Sequence, residues 1–266
     1  RILNLDSLTY AGNLENLREI ENHPNYKFIK GDILDIELLN SIFKEYPIQG
    51  VIHLAAESHV DRSIHNPDEF AMTNIIGTIR LLKAAHSAWH GRMNGKMFYH
   101  ISTDEVFGDL ELDDPNRFTE ETPYEPSSPY SATKAGSDHL VRAWVRTFGI
   151  KATISNCSNN YGPRQHIEKF IPRQITNILS DIKPKLYGTG EQVRDWIHVD
   201  DHNEAVHLIL DKSPMGETWI IGADNDHVNN KSVIEMICEL MGKGQDWYEH
   251  VNDRPGHDIR YAMDST

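Results

Sequence analysis

The chain has 266 residues, of which 39% are hydrophobic and 25% are charged, an ordinary composition for a globular protein of one or two domains. Its net charge of −14, with histidines counted as neutral, argues against nonspecific binding to nucleic acid or to an anionic membrane surface. No apolar stretch is long enough to span a bilayer, no signal peptide is visible and no metal-ligand spacing occurs, so we expect a cytoplasmic protein without membrane, nucleic-acid or metal partners.

The first part of the chain alternates between strand and helix signals. Predicted strands lie at residues 1–5, 26–30, 51–55, 97–102 and 152–156. Predicted helices lie at residues 37–46, 68–89 and 130–148, and the last one opens with Ser127, Ser128 and Pro129, a serine cap followed by a proline in the first turn. This alternation predicts an α/β protein with a doubly wound parallel, Rossmann-like sheet.

After about residue 158 the alternation of strand and helix signals becomes less regular, and proline and glycine become more frequent. Short predicted strands at 185–187 and 218–221 lie among predicted helices at 171–179, 199–210 and 232–241. We therefore predict two units, a Rossmann-like cofactor domain at residues 1–157 and a smaller α/β substrate-binding lobe at residues 158–266.

The first predicted strand ends at Asp6. An acid at the end of the second strand of a dinucleotide-binding fold binds the ribose hydroxyls and repels a 2′-phosphate, which favours NAD over NADP. An ordinary aspartate in a turn is the alternative for an isolated strand. A glycine-rich phosphate loop is expected about 20 residues before such an acid, whereas this sequence starts at the predicted second strand. We therefore expect a fragment that alone is poorly soluble and does not retain NAD.

Two short motifs carry most of the chemical information. Tyr130 and Lys134 are four residues apart, so their side chains share one face of the predicted helix. A lysine ammonium beside a phenol stabilises the phenolate, so we expect the tyrosine to act as a base. Thr103, Asp104 and Glu105 follow a predicted strand, and one protonated carboxyl with one ionised carboxyl suits the removal of water. Alone, either motif also fits a surface pair or a solvated loop.

Together with four further segments, these motifs resemble the dTDP-glucose 4,6-dehydratase family of extended short-chain dehydrogenases/reductases. The further segments are Leu-Ala-Ala-Glu-Ser-His-Val-Asp-Arg-Ser at 54–63, Asn-Cys-Ser-Asn-Asn-Tyr-Gly-Pro at 156–163, Arg-Asp-Trp at 194–196 and Asp-Arg-Pro-Gly-His-Asp at 253–258. The resemblance implies a homodimer that holds NAD tightly, takes dTDP-glucose as substrate and serves deoxysugar synthesis of the dTDP-rhamnose type. It also implies that Tyr130, helped by Lys134 and Thr103, drives oxidation at C4, that Glu105 removes the C5 proton and that Asp104 protonates the departing 6-hydroxyl.

The resemblance further implies a set of binding residues. The implied NAD contacts are Asp6, Ser7, Thr9, Asp32, Ile33, Leu54, Ala55, Ala56, Ser58, Thr73, Tyr130, Lys134 and Asn160. The implied substrate contacts are Ser58, Thr103, Asn159, Lys169, Phe170, Lys185, Leu186, Tyr187, Arg194, Asn230, Asp253, Arg254, Pro255, Gly256 and His257. A guanidinium suits phosphate oxygens, so Arg194 and Arg254 are the expected diphosphate partners.

Three other functions compete with this interpretation. A 4-epimerase would share Tyr130 and Lys134 but would not need Asp104 and Glu105. A 4,6-dehydratase of another nucleotide sugar, such as UDP-glucose, is a closer alternative to the dTDP-glucose enzyme. Only the family resemblance distinguishes the two. A nucleotide-binding protein without turnover, or an inactive fragment, is the alternative from a different functional class.

Overall fold

The computed structural model describes residues 1–212, 216–225 and 228–266. The strands are β1 (Ile2–Asp6), β2 (Tyr26–Lys30), β3 (Gly50–His53), β4 (Met97–Thr103), β5 (Ala152–Cys157), β6 (Asn159–Tyr161), β7 (Lys185–Tyr187), β8 (Trp196–His198), β9 (Thr218–Ile221) and β10 (Glu249–Val251). The α-helices are α1 (Ile36–Glu45), α2 (Val60–His65), α3 (Pro67–Phe70), α4 (Thr78–Trp89), α5 (Pro129–Phe148), α6 (Phe170–Leu179), α7 (Val199–Lys212) and α8 (Asn230–Leu240). None of these helices has the length and apolar content needed to cross a bilayer.

The strands form parallel sheets with helices packed on them, which confirms the predicted α/β class. The largest sheet has the order β3-β4-β5-β9, and separate two-stranded sheets pair β1 with β2, β6 with β8 and β7 with β10. The division at residue 157 stays a prediction. Strand β9 lies beyond that residue in sequence, yet it pairs with β5 in the largest sheet.

Strands β1 and β3 each have one unpaired edge among the described residues. Strand β1 pairs only with β2, and β3 pairs only with β4. Side chains near these edges are strongly exposed for apolar residues, with Ile2 at 66% and Leu54 at 65%.

The main hydrophobic core lies between the largest sheet and helices α1, α4 and α5. Leu82 of α4, Phe98 of β4 and Val141 of α5 are fully buried in it, and Leu5 of β1 packs against it. A second cluster joins α6, α8 and β7 around Ile178, Leu186 and Ile234. The two cores hold the strand ends that carry the predicted site residues.

Helix α5 begins and ends as its sequence predicts. Ser128 is the N-cap, its hydroxyl accepts from the Ser131 N–H, and the Ser131 hydroxyl accepts in return from the Ser128 N–H. Pro129 occupies the first turn, where its missing N–H costs nothing. The helix ends at Gly149, which has a left-handed φ of 68°. These caps fix the register of the helix, and therefore the direction in which Tyr130 and Lys134 point.

The single helix predicted at residues 68–89 is wrong in one respect. A π-helical segment, Ala71–Gly77, lies between α3 and α4. At its centre the Asn74 amide bonds both backbone groups of Glu57, at 2.9 Å and 3.0 Å, and donates to the Thr133 hydroxyl of α5 at 2.9 Å. These three bonds satisfy a buried amide away from the helix axis, which explains the widened turn at this point.

Candidate active site

The candidate site lies at the carboxyl ends of β4 and β5, beside the first two turns of α5. Strand β4 runs directly into a short 3-10 helix, Asp104–Phe107, and Thr103 caps that helix. The Thr103 hydroxyl accepts from the Glu105 N–H at 3.3 Å and donates to Asp104 Oδ1 at 3.1 Å. The tight turn after the strand therefore brings the hydroxyl and both carboxyls into one place, as their adjacency in sequence predicts.

The two carboxyls differ in their tendency to ionise. Burial raises the pKa of Asp104 well above its usual value, and the neighbouring Glu105 charge adds to the effect. Burial also raises the pKa of Glu105, but the guanidinium groups of Arg254 and Arg194 act in the opposite direction. Asp104 Oδ2 is buried without a hydrogen-bond partner among the described residues. Asp104 is therefore suited to be the acid and Glu105 the base.

Tyr130 and Lys134 are both buried on the face of α5 that points towards β4. Lys134 Nζ donates to the Ile101 carbonyl of β4 at 2.8 Å, and burial lowers its pKa. Burial raises the pKa of Tyr130 well above its usual value, and the Glu105 charge contributes, while the Thr103 hydroxyl opposes the shift. In the protein without a ligand the pKa of Tyr130 is therefore raised rather than lowered, because burial and the nearby Glu105 charge disfavour the phenolate.

Helix α5 also carries a buried carboxylate that the sequence analysis missed. Asp138 follows Lys134 by one turn and accepts hydrogen bonds from β4, β5 and the segment before α5. The signal was present in the sequence, because Tyr130, Lys134 and Asp138 recur at intervals of four residues on one helix face.

The predicted NAD contacts lie mainly at the carboxyl ends of β1, β2 and β3. Asp6 and Asp32 are exposed, and their carboxylates accept from the backbone N–H groups of Leu8 and Leu34, at 2.7 Å and 2.8 Å. The other predicted contacts at these strand ends are partly buried or exposed, except for Ile33. The Ile33 side chain is buried and lies 2.5 Å from where a Cβ on Gly77 would stand, so only its backbone is left for a ligand. Thr73 lies in the π-helical segment and is partly buried.

The donors and acceptors at this edge fit a dinucleotide. Strand-end carboxylates suit ribose hydroxyls. Asn160 lies in the short strand β6, which follows β5, and its Oδ1 atom is buried without a hydrogen-bond partner among the described residues. An unpartnered amide oxygen suits a ligand that carries an N–H donor, such as the carboxamide of a nicotinamide.

The predicted substrate contacts form two groups. In the first, Lys169 Nζ donates to the Ser58 carbonyl and hydroxyl at 2.8 Å and 3.0 Å, which joins the segment before α6 to the segment before α2. Phe170 stacks on Trp196 with ring centroids 5.8 Å apart. Asn159 of β6 lies beside Asn160, and its own Oδ1 is also buried without a described partner.

The second group surrounds β7 and the segment at residues 253–258. Arg254 forms an ion pair with Asp61 at 3.1 Å, and Asp253 contacts His257 at 2.6 Å. Lys185 and Tyr187 are exposed, but the Leu186 side chain between them is buried in the core and leaves only its backbone accessible. The remaining members are Asn230 at the start of α8 and the exposed residues Pro255 and Gly256.

The Arg194 guanidinium is already engaged within the protein. Its Nη1 donates to the Val193 carbonyl and its Nη2 to the Asp258 carbonyl, both at 2.7 Å, and the guanidinium lies over the Tyr261 ring at 4.2 Å. This positions Arg194 near Glu105, on whose pKa it acts. Over the ranges that the structure describes, no group of three His, Cys, Asp or Glu side chains has the arrangement of a metal site.

Comparison with known proteins agrees with this chemistry. The family model described as GDP-mannose 4,6 dehydratase matches residues 1–266. The dTDP-glucose 4,6-dehydratase of Mycobacterium tuberculosis is 56% identical over 260 residues, which are 98% of this chain and 75% of that protein. The crystal structure of DesIV, a dTDP-glucose 4,6-dehydratase from Streptomyces venezuelae determined with NAD bound, has a TM-score of 0.92 at 42% identity and covers 100% of this chain and 79% of its own.

A structure with a different reaction is less similar in sequence. The UDP-glucuronic acid 4-epimerase of Bacillus cereus has a TM-score of 0.89 but only 26% identity, with 100% of this chain and 82% of that chain covered. The fold alone therefore does not separate dehydratase from epimerase, and sequence identity does. On these matches, the chain belongs to the GDP-mannose 4,6-dehydratase family and, within it, to the dTDP-glucose 4,6-dehydratases.

Proposed function

We propose that this chain catalyses the NAD-dependent 4,6-dehydration of dTDP-glucose to dTDP-4-keto-6-deoxyglucose, a hydro-lyase reaction. One structural observation carries the proposal. The Tyr130 and Lys134 pair lies beside two carboxyls, Asp104 and Glu105, whose pKa values are raised to different extents. An oxidation needs only the first pair, whereas the loss of water needs an acid and a base as well.

In the first step, the chain's own groups remove a proton from the sugar 4-hydroxyl. Tyr130 is the base, the Thr103 hydroxyl lowers its pKa, and Lys134 supplies a fixed positive charge behind it. A dinucleotide held by Asp6, Asp32 and Asn160 would supply the hydride acceptor at C4 and the hydride donor at C6. The raised pKa of Tyr130 means that the protein alone holds the phenol protonated, so a positive charge brought near the ring would favour the reactive phenolate.

In the second step, water leaves across C5 and C6. The 4-ketone acidifies the C5 proton, which Glu105 removes, and Asp104 gives its proton to the departing 6-hydroxyl. The directions of the two pKa values support this division of roles. Asp104 is the more strongly protonated group, and Glu105 has two arginines that favour its ionised form.

Binding residues for both ligands remain part of the proposal. Asp6, Asp32 and the β3 end from Leu54 to Ala56 would hold the dinucleotide, with Asn160 near its reactive end. Arg254 is the proposed diphosphate partner, although in this structure it is paired with Asp61. Arg194 is less suited to that role than the sequence predicts, because both of its terminal nitrogens already donate to backbone carbonyls.

A homodimer in the cytoplasm, working in deoxysugar synthesis of the dTDP-rhamnose type, completes the proposal. The expected dimer contact is formed by the helices predicted at residues 68–89 and 130–148, and exposed apolar side chains there support it, since Met72 and Phe148 are 44% and 46% exposed. Two such faces related by a two-fold axis would cover each other. Light scattering of the NAD-loaded protein at micromolar concentration would show a dimer, and a monomer would contradict this part.

The experiment that tests the reaction compares nucleotide sugars. The NAD-loaded protein is incubated with dTDP-glucose, UDP-glucose and GDP-mannose, and the products are identified by mass. We expect loss of one water from dTDP-glucose in preference to the others. A product with unchanged mass but inverted C4 would support the epimerase, and no turnover of any sugar would support a binding protein.

The two carboxyl roles are tested in the same preparation. Glu105→Gln should stop exchange of the C5 proton with deuterated solvent while C4 oxidation continues. Asp104→Asn should slow loss of the 6-hydroxyl more than it slows NADH formation. Glu111→Gln, at an exposed position of the same segment, is the matched control. Undiminished C5 exchange in Glu105→Gln would show that another group is the base.

A further inference from the structure

A buried carboxylate lies one helical turn behind Lys134. Asp138 is 0% exposed, and its Oδ2 atom accepts from the Ser102 hydroxyl at 2.8 Å, the Tyr124 hydroxyl at 3.0 Å and the Asn156 amide at 3.2 Å. Its Oδ1 atom lies 3.1 Å from His100 Nε2. Four side chains from outside the helix therefore converge on this one group, which the reaction chemistry above does not use.

The groups around Asp138 leave one full positive charge to balance it. Burial lowers the pKa of both His100 and His53, so the two rings are neutral at pH 7. Burial raises the pKa of Cys157 to about 12, so this thiol is neutral as well. Arg142 reaches the group only through the Tyr124 hydroxyl, at 2.9 Å. The contact with His100 is the largest factor that lowers the pKa of Asp138 against the effect of burial, and the charge of Lys134, one turn earlier on α5, is the next. Asp138 in turn raises the pKa of Lys134 against the effect of burial.

The same contacts tie Asp138 to the catalytic end of β4. Asn156, which donates to Asp138, also donates to the Thr103 carbonyl at 3.1 Å. Ser102, which donates to Asp138 as well, directly precedes Thr103. Lys134 itself donates to the Ile101 carbonyl of this strand. Asp138 and Lys134 are therefore both tied to the end of β4 that carries Thr103.

We propose that Asp138 is a positioning residue whose buried carboxylate is the counter-charge that keeps Lys134 protonated beside Tyr130. The inference rests on the proposed function only in so far as Lys134 assists the Tyr130 base. A buried ammonium without a counter-charge loses its proton readily, because burial disfavours the charged form. A neutral lysine would no longer stabilise the Tyr130 phenolate.

The proposal predicts a directional change in the pH profile. Removing the negative charge in Asp138→Asn lowers the pKa of Lys134 and raises the pH needed to ionise Tyr130. The high-pH limb of kcat for C4 oxidation should therefore move down by about 1–3 pH units, the usual effect of losing an opposite charge at close range. At pH 8 the rate of NADH formation should fall roughly tenfold or more, as one pKa unit is a tenfold change in charged fraction.

Two further variants separate charge from packing. Tyr124→Phe removes a hydrogen bond to the Asp138 carboxylate but leaves the charge of that carboxylate. Because the high-pH limb of kcat depends on this charge, the limb should stay within about 0.3 pH units of its position in the unaltered protein. Asp138→Glu keeps a carboxylate, so the high-pH limb of kcat should return most of the way to its position in the unaltered protein. If Tyr124→Phe shifts the limb as far as Asp138→Asn does, the effect is one of packing and the proposal is wrong.

A readout that does not depend on turnover completes the test. The side chain of Lys134, labelled with ¹³C at Cε and assigned with Lys134→Arg, is titrated by NMR in the NAD-loaded protein. We expect the unaltered lysine to stay charged beyond pH 8. Titration below pH 7 would overturn the proposal, even if Asp138→Asn does not fold. Absence of dTDP-glucose turnover in the unaltered protein would instead count against the proposed function and leave this titration valid.

Discussion

The two ends of the candidate site are built in opposite ways, although both lie at carboxyl ends of parallel strands. At the catalytic end, Thr103, Asp104, Tyr130 and Lys134 are all less than 9% exposed, and each is tied to its neighbours by short polar contacts or close packing. At the β1–β3 end, the carboxylates are exposed and hydrogen-bonded only to N–H groups two residues further along the chain.

The two ends therefore differ in how far their side chains are positioned before a ligand binds. The catalytic groups are positioned by the core of the protein, so their geometry is part of the folded state. The residues of the β1–β3 end contribute little to the core and are free to be arranged around a ligand. Substitutions at the catalytic end should therefore change both rate and stability, and those at the other end mainly binding.

The largest effect should come from Tyr130→Phe. Loss of a general base typically costs ~10²–10⁴ in rate, and we expect that loss in C4 oxidation, measured as NADH absorbance on addition of dTDP-glucose. Tyr99→Phe is the matched control, since Tyr99 is also buried, in β4, and its hydroxyl donates to the Ser155 hydroxyl. Near-full turnover in Tyr130→Phe would mean that the catalytic end has been assigned to the wrong base.

A pair of leucine substitutions tests the difference in burial directly. Leu82→Ala in α4 removes a side chain that is 0% exposed and should cost ~2–5 kcal/mol of unfolding free energy. Leu54→Ala at the end of β3 should change stability by less than ~0.5 kcal/mol, as is usual at exposed positions. Urea unfolding followed by circular dichroism measures both. Equal losses would show that the β1–β3 end is as firmly packed as the core.

Asp104→Asn should stabilise the protein at neutral pH while it harms catalysis. The folded protein holds the proton on Asp104 more tightly than the unfolded chain does, so this group favours folding at low pH. That contribution is lost as the pH rises from the unfolded pKa through the raised folded pKa. Removing the group should add about 0.5–2 kcal/mol at pH 7, typical of relieving a strained functional site, and little at pH 3.5. Thermal melting curves of both proteins at pH 7 and pH 3.5 measure the gain in stability. An equal gain at both pH values would contradict the argument from ionisation.

The smallest effect should come from Asp6→Asn at the exposed end. Fold stability should stay within ~0.5 kcal/mol. The preference for NAD over NADP should fall by about 1 kcal/mol, the Coulomb energy of two unit charges ~4 Å apart in water. Calorimetric titration with both dinucleotides measures this, and Asp35→Asn is unsuitable as a control because Asp35 caps α1. Asp211→Asn, exposed on α7, is the better one. An unchanged preference would show that Asp6 does not select the cofactor.

Local patterns predicted the framework well because the cause of each element lies within a few residues. The strands Tyr26–Lys30, Lys185–Tyr187 and Thr218–Ile221 have the predicted bounds, and the serine cap of α5 is where the sequence indicates it. Helix α2 and the strands β6, β8 and β10 were not predicted.

The chemistry of the site was less accessible from the sequence. Adjacent residues such as Asp104 and Glu105 had to lie together, but the direction of the Tyr130 pKa depends on burial, which no spacing reveals. The hydrogen bonds that Asp138 accepts join residues between 14 and 36 positions apart, from β4, β5 and the segment before α5. Only the folded arrangement brings those partners together.

The π-helical segment places one extra residue in a helical turn between α3 and α4. A deletion of one residue there would restore an ordinary α-helical turn and leave the core-facing side of α4, with Leu82, in place. The Asn74 side chain would then no longer reach both Glu57 and Thr133. In an alignment of related chains, chains that lack one residue in this stretch should therefore also lack the asparagine.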